Sequence, residues 1–257
     1  MEIAAFLLIL FLSNVIQGIT GFAGTILAMP PSLILVGYHV AKPVLNVLGL
    51  LSGIYVFAGS RKKVLWDELK QIVTMMSIGI AAGILLKGYF AGRENILYPP
   101  LGIFVLLLSA QGMARLWKEG REKEIGEDKM PSGGKNSGGF NQMRTRGLLI
   151  LAGLVHGIFV CGGPLLIGYL TKRVDDKKAF RATISTVWIV LNTIVLMDDI
   201  RSGLWETEIV TLLLMTIPFF LAGMFVGERL VRQMSQKTFM VITYVLLIIS
   251  GISLLFK

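Results

Sequence analysis

The chain has 257 residues, of which 54% are hydrophobic and only 16% charged, with a net charge of +9 and a mean hydropathy of +0.72. Soluble domains run nearer about 45–50% apolar and 25% charged, so this composition excludes an ordinary soluble fold and points to a polytopic membrane protein. The surplus of Lys and Arg sits in short segments between apolar runs rather than on a basic face with aromatic platforms, which excludes a nucleic-acid partner.

The apolar runs cover residues 3–37, 43–59, 69–90, 97–117, 148–170, 180–197, 209–226 and 239–256. Glu2 precedes the first run with no basic segment before it, so that run reads as a retained membrane element rather than a cleaved signal. At about 1.5 Å per residue it is too long for one crossing of a ~30 Å hydrocarbon layer and too short for two crossings and a turn. A broken element is expected there, centred on Gln17-Gly-Ile-Thr-Gly-Phe-Ala-Gly24, followed by Thr25. Glycine permits the sharp turn, and irregular backbone survives in a bilayer only where protein or a wet cavity covers it. The next three runs read as simple spans. Residues 118–146 form a polar Gly/Ser linker of mixed charge, dividing the chain into halves at 1–117 and 147–257.

Sliding the sequence on itself brings out a repeat at an offset of 139 residues. On that diagonal Gly18 meets Gly157, Gly24 meets Gly163, Trp66 meets Trp205, Gly88 meets Gly227, Arg93 meets Arg232 and Gly112 meets Gly251. Corresponding loops differ in charge: Arg61, Lys62 and Lys63 face a segment with Asp198, Asp199 and Arg201, and the single Lys42 faces Lys172, Arg173, Lys177, Lys178 and Arg181. Short basic loops stay in the cytoplasm, so the halves are expected upside down relative to each other, with the N-terminus outside. The expected fold is an all-α integral membrane protein of two inverted repeats, each a broken or re-entrant helix pair followed by three transmembrane helices.

The second break reads His156-Gly-Ile-Phe-Val-Cys-Gly-Gly-Pro164, where Pro164 can open a short helix at its first position. Each break resembles a glycine turn feeding a helix N-terminus, whose free N–H groups and dipole favour an anion. The expected substrate-binding set is therefore Gln17, Gly18, Thr20, Gly21, Phe22, Gly24, Thr25, His156, Gly157, Cys161, Gly162, Gly163 and Pro164. Intramembrane polar groups are costly and usually functional, which adds Asn46, Arg181, Ser185 and Asn192. Competing readings are close helix packing for the glycines, interhelical hydrogen bonds for Asn46, Ser185 and Asn192, a small packing residue for Cys161, and snorkelling anchors for Lys42 and Arg181. His156 is either a proton-coupling group or a neutral donor to a carbonyl. Trp66 and Trp205 read as interfacial belt residues.

At these motifs the sequence resembles the sulfite exporter TauE/SafE family of membrane permeases. The resemblance rests on residues 17–24, on Gly157-Ile-Phe-Val-Cys-Gly-Gly-Pro164, on Phe180-Arg-Ala-Thr-Ile-Ser-Thr186 and on the pairs Trp66-Asp67 and Trp205-Glu206, and covers nearly the whole chain outside the linker. It implies a prokaryotic cytoplasmic-membrane carrier that moves small anions, often sulfite or sulfonates, without ATP. The expected partners are that anion, the lipid bilayer and a coupling proton or sodium ion, with a homodimer as the candidate assembly. No cofactor, metal or catalytic residue is expected: one cysteine and two histidines exclude Cys-rich and most zinc sites, and Gly-x-Ser-x-Gly, His-Glu-x-x-His and phosphate-loop motifs are absent. The alternatives are an anion channel and, further away, an intramembrane enzyme.

Overall fold

The computed structural model describes residues 2–89, 139–170, 173–174 and 176–230, with scattered positions from 99 to 117 and from 241 to 255. Among the described residues all regular structure is helical: α1 (Glu2–Thr20), α2 (Gly24–Val36), α3 (Tyr38–Ser60), a 3₁₀ turn at Arg61–Lys63, α4 (Trp66–Tyr89), α5 (Gly139–Phe159), α6 (Gly163–Leu170), α7 (Lys177–Arg201) and α8 (Thr207–Leu230). Five of these segments are long and apolar enough to cross a membrane: Glu2–Thr20, Tyr38–Lys63, Trp66–Leu86, Ala179–Arg201 and Thr207–Leu230. At 13 and 8 residues, α2 and α6 reach only about 20 and 12 Å and cannot cross. The first apolar run is broken, as its length requires.

The two breaks end their helices in the same way. Gly21 adopts φ +81° and donates its N–H to the Gln17 carbonyl at 2.6 Å; Val160, on the same repeat diagonal, adopts φ +57° and donates to the His156 carbonyl at 2.7 Å. Glycine takes the left-handed conformation freely. A β-branched residue there costs about 1–3 kcal/mol and persists only where its surroundings over-determine it.

Three helix pairs dominate the packing: α1 with α8, α4 with α5, and α3 with α7. Glycines four residues apart make the first two crossings close. Gly79 and Gly83 of α4 lie against Gly153 and Gly157 of α5, while Gly223 and Gly227 of α8 lie against residues 11–18 of α1, with Gly18 facing Gly227. With no hydrophobic drive between helices in lipid, such small-residue approach is what holds them. Helices α3 and α7 run antiparallel: Lys42 pairs with Asp199, the Asn46 side-chain amide donates to the Asn192 carbonyl at 3.0 Å, and Gly53 lies against Ser185. In the last run of each half Gly102 approaches the Gly251 carbonyl.

Four sequence expectations change. Helix α5 begins at Gly139, inside the segment expected as linker, and residues 118–138 lie outside the described ones. Lys177, Lys178 and Arg181 belong to α7, as do Asp198 and Asp199, so none of them is in a loop. Lys42 is no snorkelling anchor: it is fully buried on α3 and ion-paired with fully buried Asp199, with Asp198 at 4.0 Å. Trp66 is exposed as an interfacial residue should be, whereas Trp205 packs against the core with its indole nitrogen buried.

Candidate functional site

Chain reversal at Thr20–Ala23 folds α2 back along α1, so that Gly24 lies against Ser13 and Gln17. The corresponding reversal at residues 160–162 folds α6 back along α5, placing Gly162 against Ala152 and His156. As a result Gln17 and His156, which share one position in the repeat, face a common hollow lined also by Phe22, Thr25, Gly49, Val160, Gly163, Trp188 and Asn192. A second hollow adjoins it through Gln17, Thr25 and Gly49 and extends to Ser13, Asn14, Gly24 and Ser52. Each has a volume of about 10 Å³, room for roughly one water. The hollow is contracted in this structure.

Each half holds its break residue with a side chain from the central helix pair. Gln17 Nε2 donates to Ser52 Oγ at 2.8 Å, and Ser52 in turn donates to the Gly49 carbonyl. His156 Nε2 lies 2.8 Å from Asn192 Oδ1, and its ring stacks on Trp188 at 5.1 Å between centroids and 26° between planes. Among the described residues, His156 Nδ1 and Trp188 Nε1 are buried with no hydrogen-bond partner. Buried polar atoms are rarely left that way, and both residues border the same hollow.

The opposite half also supplies the caps for the broken helix ends. Arg181 of α7 lies over Gly21 and donates from Nη2 to the Gly18 carbonyl at 3.1 Å, while the Tyr38 hydroxyl of α3 donates to the Ile158 carbonyl. Cationic and polar donors suit the negative end of a helix dipole. Lys42 and Arg181, equivalent in the repeat, thus sit at opposite ends of the α3–α7 pair with the hollow between them.

One expectation about the chemistry is corrected. The amides of the first break are not bare: Thr20 Oγ accepts from the Phe22 and Ala23 N–H groups at 3.3 and 3.1 Å, and Gln17 Oε1 accepts from Gly24 N–H at 2.7 Å. Thr20 closes the turn ahead of α2 rather than presenting a donor to the hollow, and its hydroxyl donates to the Ile16 carbonyl. Pro164 stands second, not first, in α6. In the first break, side chains therefore satisfy the amides of Phe22, Ala23 and Gly24.

A family model matches residues 6–254, almost the whole chain, and its description is the sulfite exporter TauE/SafE. The chain belongs to the TauE/SafE family. It is 24% identical over 194 residues, 75% of this chain and 73% of the relative, to the "Probable inner membrane transporter protein TsaS" of Comamonas testosteroni. No solved structure matches. The TauE/SafE family is one of membrane transporters, so the protein is a transporter and not an enzyme.

In this TauE/SafE chain the sequence-predicted residues divide into groups. Gln17, Phe22, Gly24, Thr25, His156, Gly163 and Asn192 border the hollows. Thr20, Gly21 and Gly162 shape the turns, Asn46 fixes Asn192, and Arg181 caps the first break. Gly18 and Gly157 serve helix packing against α8 and α4. Cys161 is a buried free thiol, and Ser185 is buried on α7 beside Gly53. Sequence reasoning missed Trp188, Gly49, Ser52 and Val160. Trp188 carried a signal, since an indole in the middle of an apolar run is too deep for an interfacial belt. Val160 carried another by falling on the diagonal opposite Gly21.

Proposed function

We propose that the protein is a secondary transporter of small sulfur oxyanions or organosulfonates, working by alternating access around the hollow between the two breaks. The observation that carries this reading is the convergence of Gln17 and His156, one from each half, on a single hollow that also holds Trp188. Indole N–H, imidazole, hydroxyl and carboxamide groups are the donors that an oxyanion needs. Reading the halves as inverted repeats is supported by α3 and α7, equivalent at an offset of 139, which lie antiparallel, and by the equivalent cations Lys42 and Arg181, which end up on opposite sides of the site. The contracted hollow favours a carrier over an open channel. Rocking of one half against the other would loosen the Lys42–Asp199 end and the Arg181 end in turn, exposing the anion first to one face and then to the other.

The test is counterflow. Purified protein in liposomes loaded with unlabelled methanesulfonate or sulfite should accumulate the labelled anion transiently against its gradient. Flux that only dissipates gradients would identify a channel, and no flux of any sulfur oxyanion would overturn the reading.

Orientation supplies a separate prediction. The basic turn Arg61–Lys63 belongs in the cytoplasm, and Ser202, its repeat equivalent, belongs outside with the N-terminus. Both Lys63 and Ser202 are exposed, and the native Cys161 is buried. Cysteines at Lys63 and Ser202 should react with a membrane-impermeant maleimide from opposite faces; labelling of both from one face would end the inverted arrangement.

A further inference from the structure

We propose that His156 takes up a proton as the anion enters, so that the anion is carried beside an imidazolium and one proton travels with each anion. This rests on the transport reading above and adds the coupling ion to it. The residues bordering the hollow include no lysine, arginine or carboxylate. The charged group nearest in influence is Lys42 on α3, already matched by Asp199 with Asp198 close by on α7. Of the other elements around His156, α1 brings Gln17 and α6 brings Gly163, α4 brings Ile80 and Gly83 against Gly157, and the break brings the neutral Cys161. Arg181 lies at the far end of the central pair, where its Nη2 donates to the Gly18 carbonyl, its Nε is buried without a partner among the described residues, and Tyr55, bonded to Glu228, feels its charge. An anion entering this hollow therefore meets no positive charge in its lining, since Lys42 is matched by Asp199 and Arg181 lies outside the lining, over Gly21, and an isolated charge in a dry site is costly.

The geometry of His156 supplies the missing charge. With Nε2 donating to Asn192 Oδ1, a neutral ring leaves a lone pair on Nδ1, which repels an anion. Protonation turns that atom into a donor at a point where the protein offers it no acceptor among the described residues. The Trp188 ring stacked on the imidazole presents an electron-rich face that favours the cation, and the Trp188 N–H is available to the same anion. The step balances as one solvent proton added to Nδ1 per anion bound, and the proton leaves with the anion on the other side.

Nitrogen NMR on the full chain labelled with ¹⁵N-histidine reads this directly, because His39 is the only other histidine and a His39→Gln variant assigns the two. Methanesulfonate is the probe, since its own charge does not change near neutral pH. As it saturates at pH 7.5, the His156 Nδ1 signal should move from the lone-pair to the N–H range, the Trp188 indole signal should shift, and calorimetry in two buffers should report close to one proton taken up. The transport rate should rise as pH falls, and His156→Gln should flatten that profile. A shift at Trp188 with Nδ1 unchanged and no proton uptake, or an unchanged pH profile in His156→Gln, would overturn proton coupling and leave the transport reading standing. No response at either residue together with no counterflow would remove both.

Discussion

Replacing Gly163 by leucine should reduce anion counterflow to the level of protein-free vesicles while the protein still inserts and elutes as the wild type. Gly163 opens α6 and borders the hollow, and a Cβ placed there would approach Ile26 Cδ1 at 3.0 Å and Trp188 Cζ2 at 3.6 Å. Both are ends of side chains, and the nearer belongs to a flexible aliphatic chain that can yield a few tenths of an ångström. The three further carbons of leucine have nowhere to go except a hollow of about 10 Å³, so they occupy the space that the anion needs. Gly163→Ala, which adds only the Cβ, should keep part of the activity. Gly24, its repeat equivalent, is a poorer probe. A Cβ there would fall 2.6 Å from Gln17 Cβ and 2.9 Å from the Ser13 carbonyl, so Gly24→Leu should force the α1–α2 hairpin apart and lower the yield of folded protein. Normal transport by Gly163→Leu would mean that the anion passes elsewhere.

Lys42→Met should cost about 3–5 kcal/mol of stability, the usual penalty for leaving one charge of a buried pair uncompensated. Lys42 and Asp199 are both fully buried, and they tie α3 to α7 across the two halves. Removing the ammonium strands the Asp199 carboxylate in a dry helix interface. The double variant Lys42→Met, Asp199→Leu should recover most of the loss, because exchanging a buried pair for apolar groups of similar volume is close to neutral. Thermal unfolding in detergent measures both. If the pair also closes one face of the transporter, the double variant should be stable and yet transport with altered sidedness.

The breaks were legible in the sequence because membrane thickness is a hard ruler. Residues 3–37 fit neither one crossing nor two, and glycine at residues 18, 21 and 24 marked where the chain turns. The repeat offset then located the second break, but not the left-handed backbone that Val160 shares with Gly21, which no single-residue propensity would assign to a valine. What hides from a linear reading is the partner of each polar group. Gln17 and Thr20 were expected to stand beside bare amides, yet their side chains curl back to satisfy those amides, since unpaired N–H groups in hydrocarbon are expensive. Lys42 and Asp199 lie 157 residues apart, and each sits near the end of an apolar run, where charge ordinarily signals the membrane surface. Only the packing of α3 on α7 shows that both ends are covered by protein. For Gly18 and Gly157 the packing role prevailed over the site, because the second small residue needed for close approach comes from another helix, at Gly227 and Gly83.

The central claim is that an anion occupies the hollow beside Trp188. Four tryptophans are present, so a chain with Trp66, Trp117 and Trp205 changed to phenylalanine reports from Trp188 alone. Titrating it with methanesulfonate should give a saturable change in emission, with a midpoint matching that of counterflow and no change after Gly163→Leu. Saturable counterflow in the same protein with Trp188 emission indifferent to the anion would contradict the account.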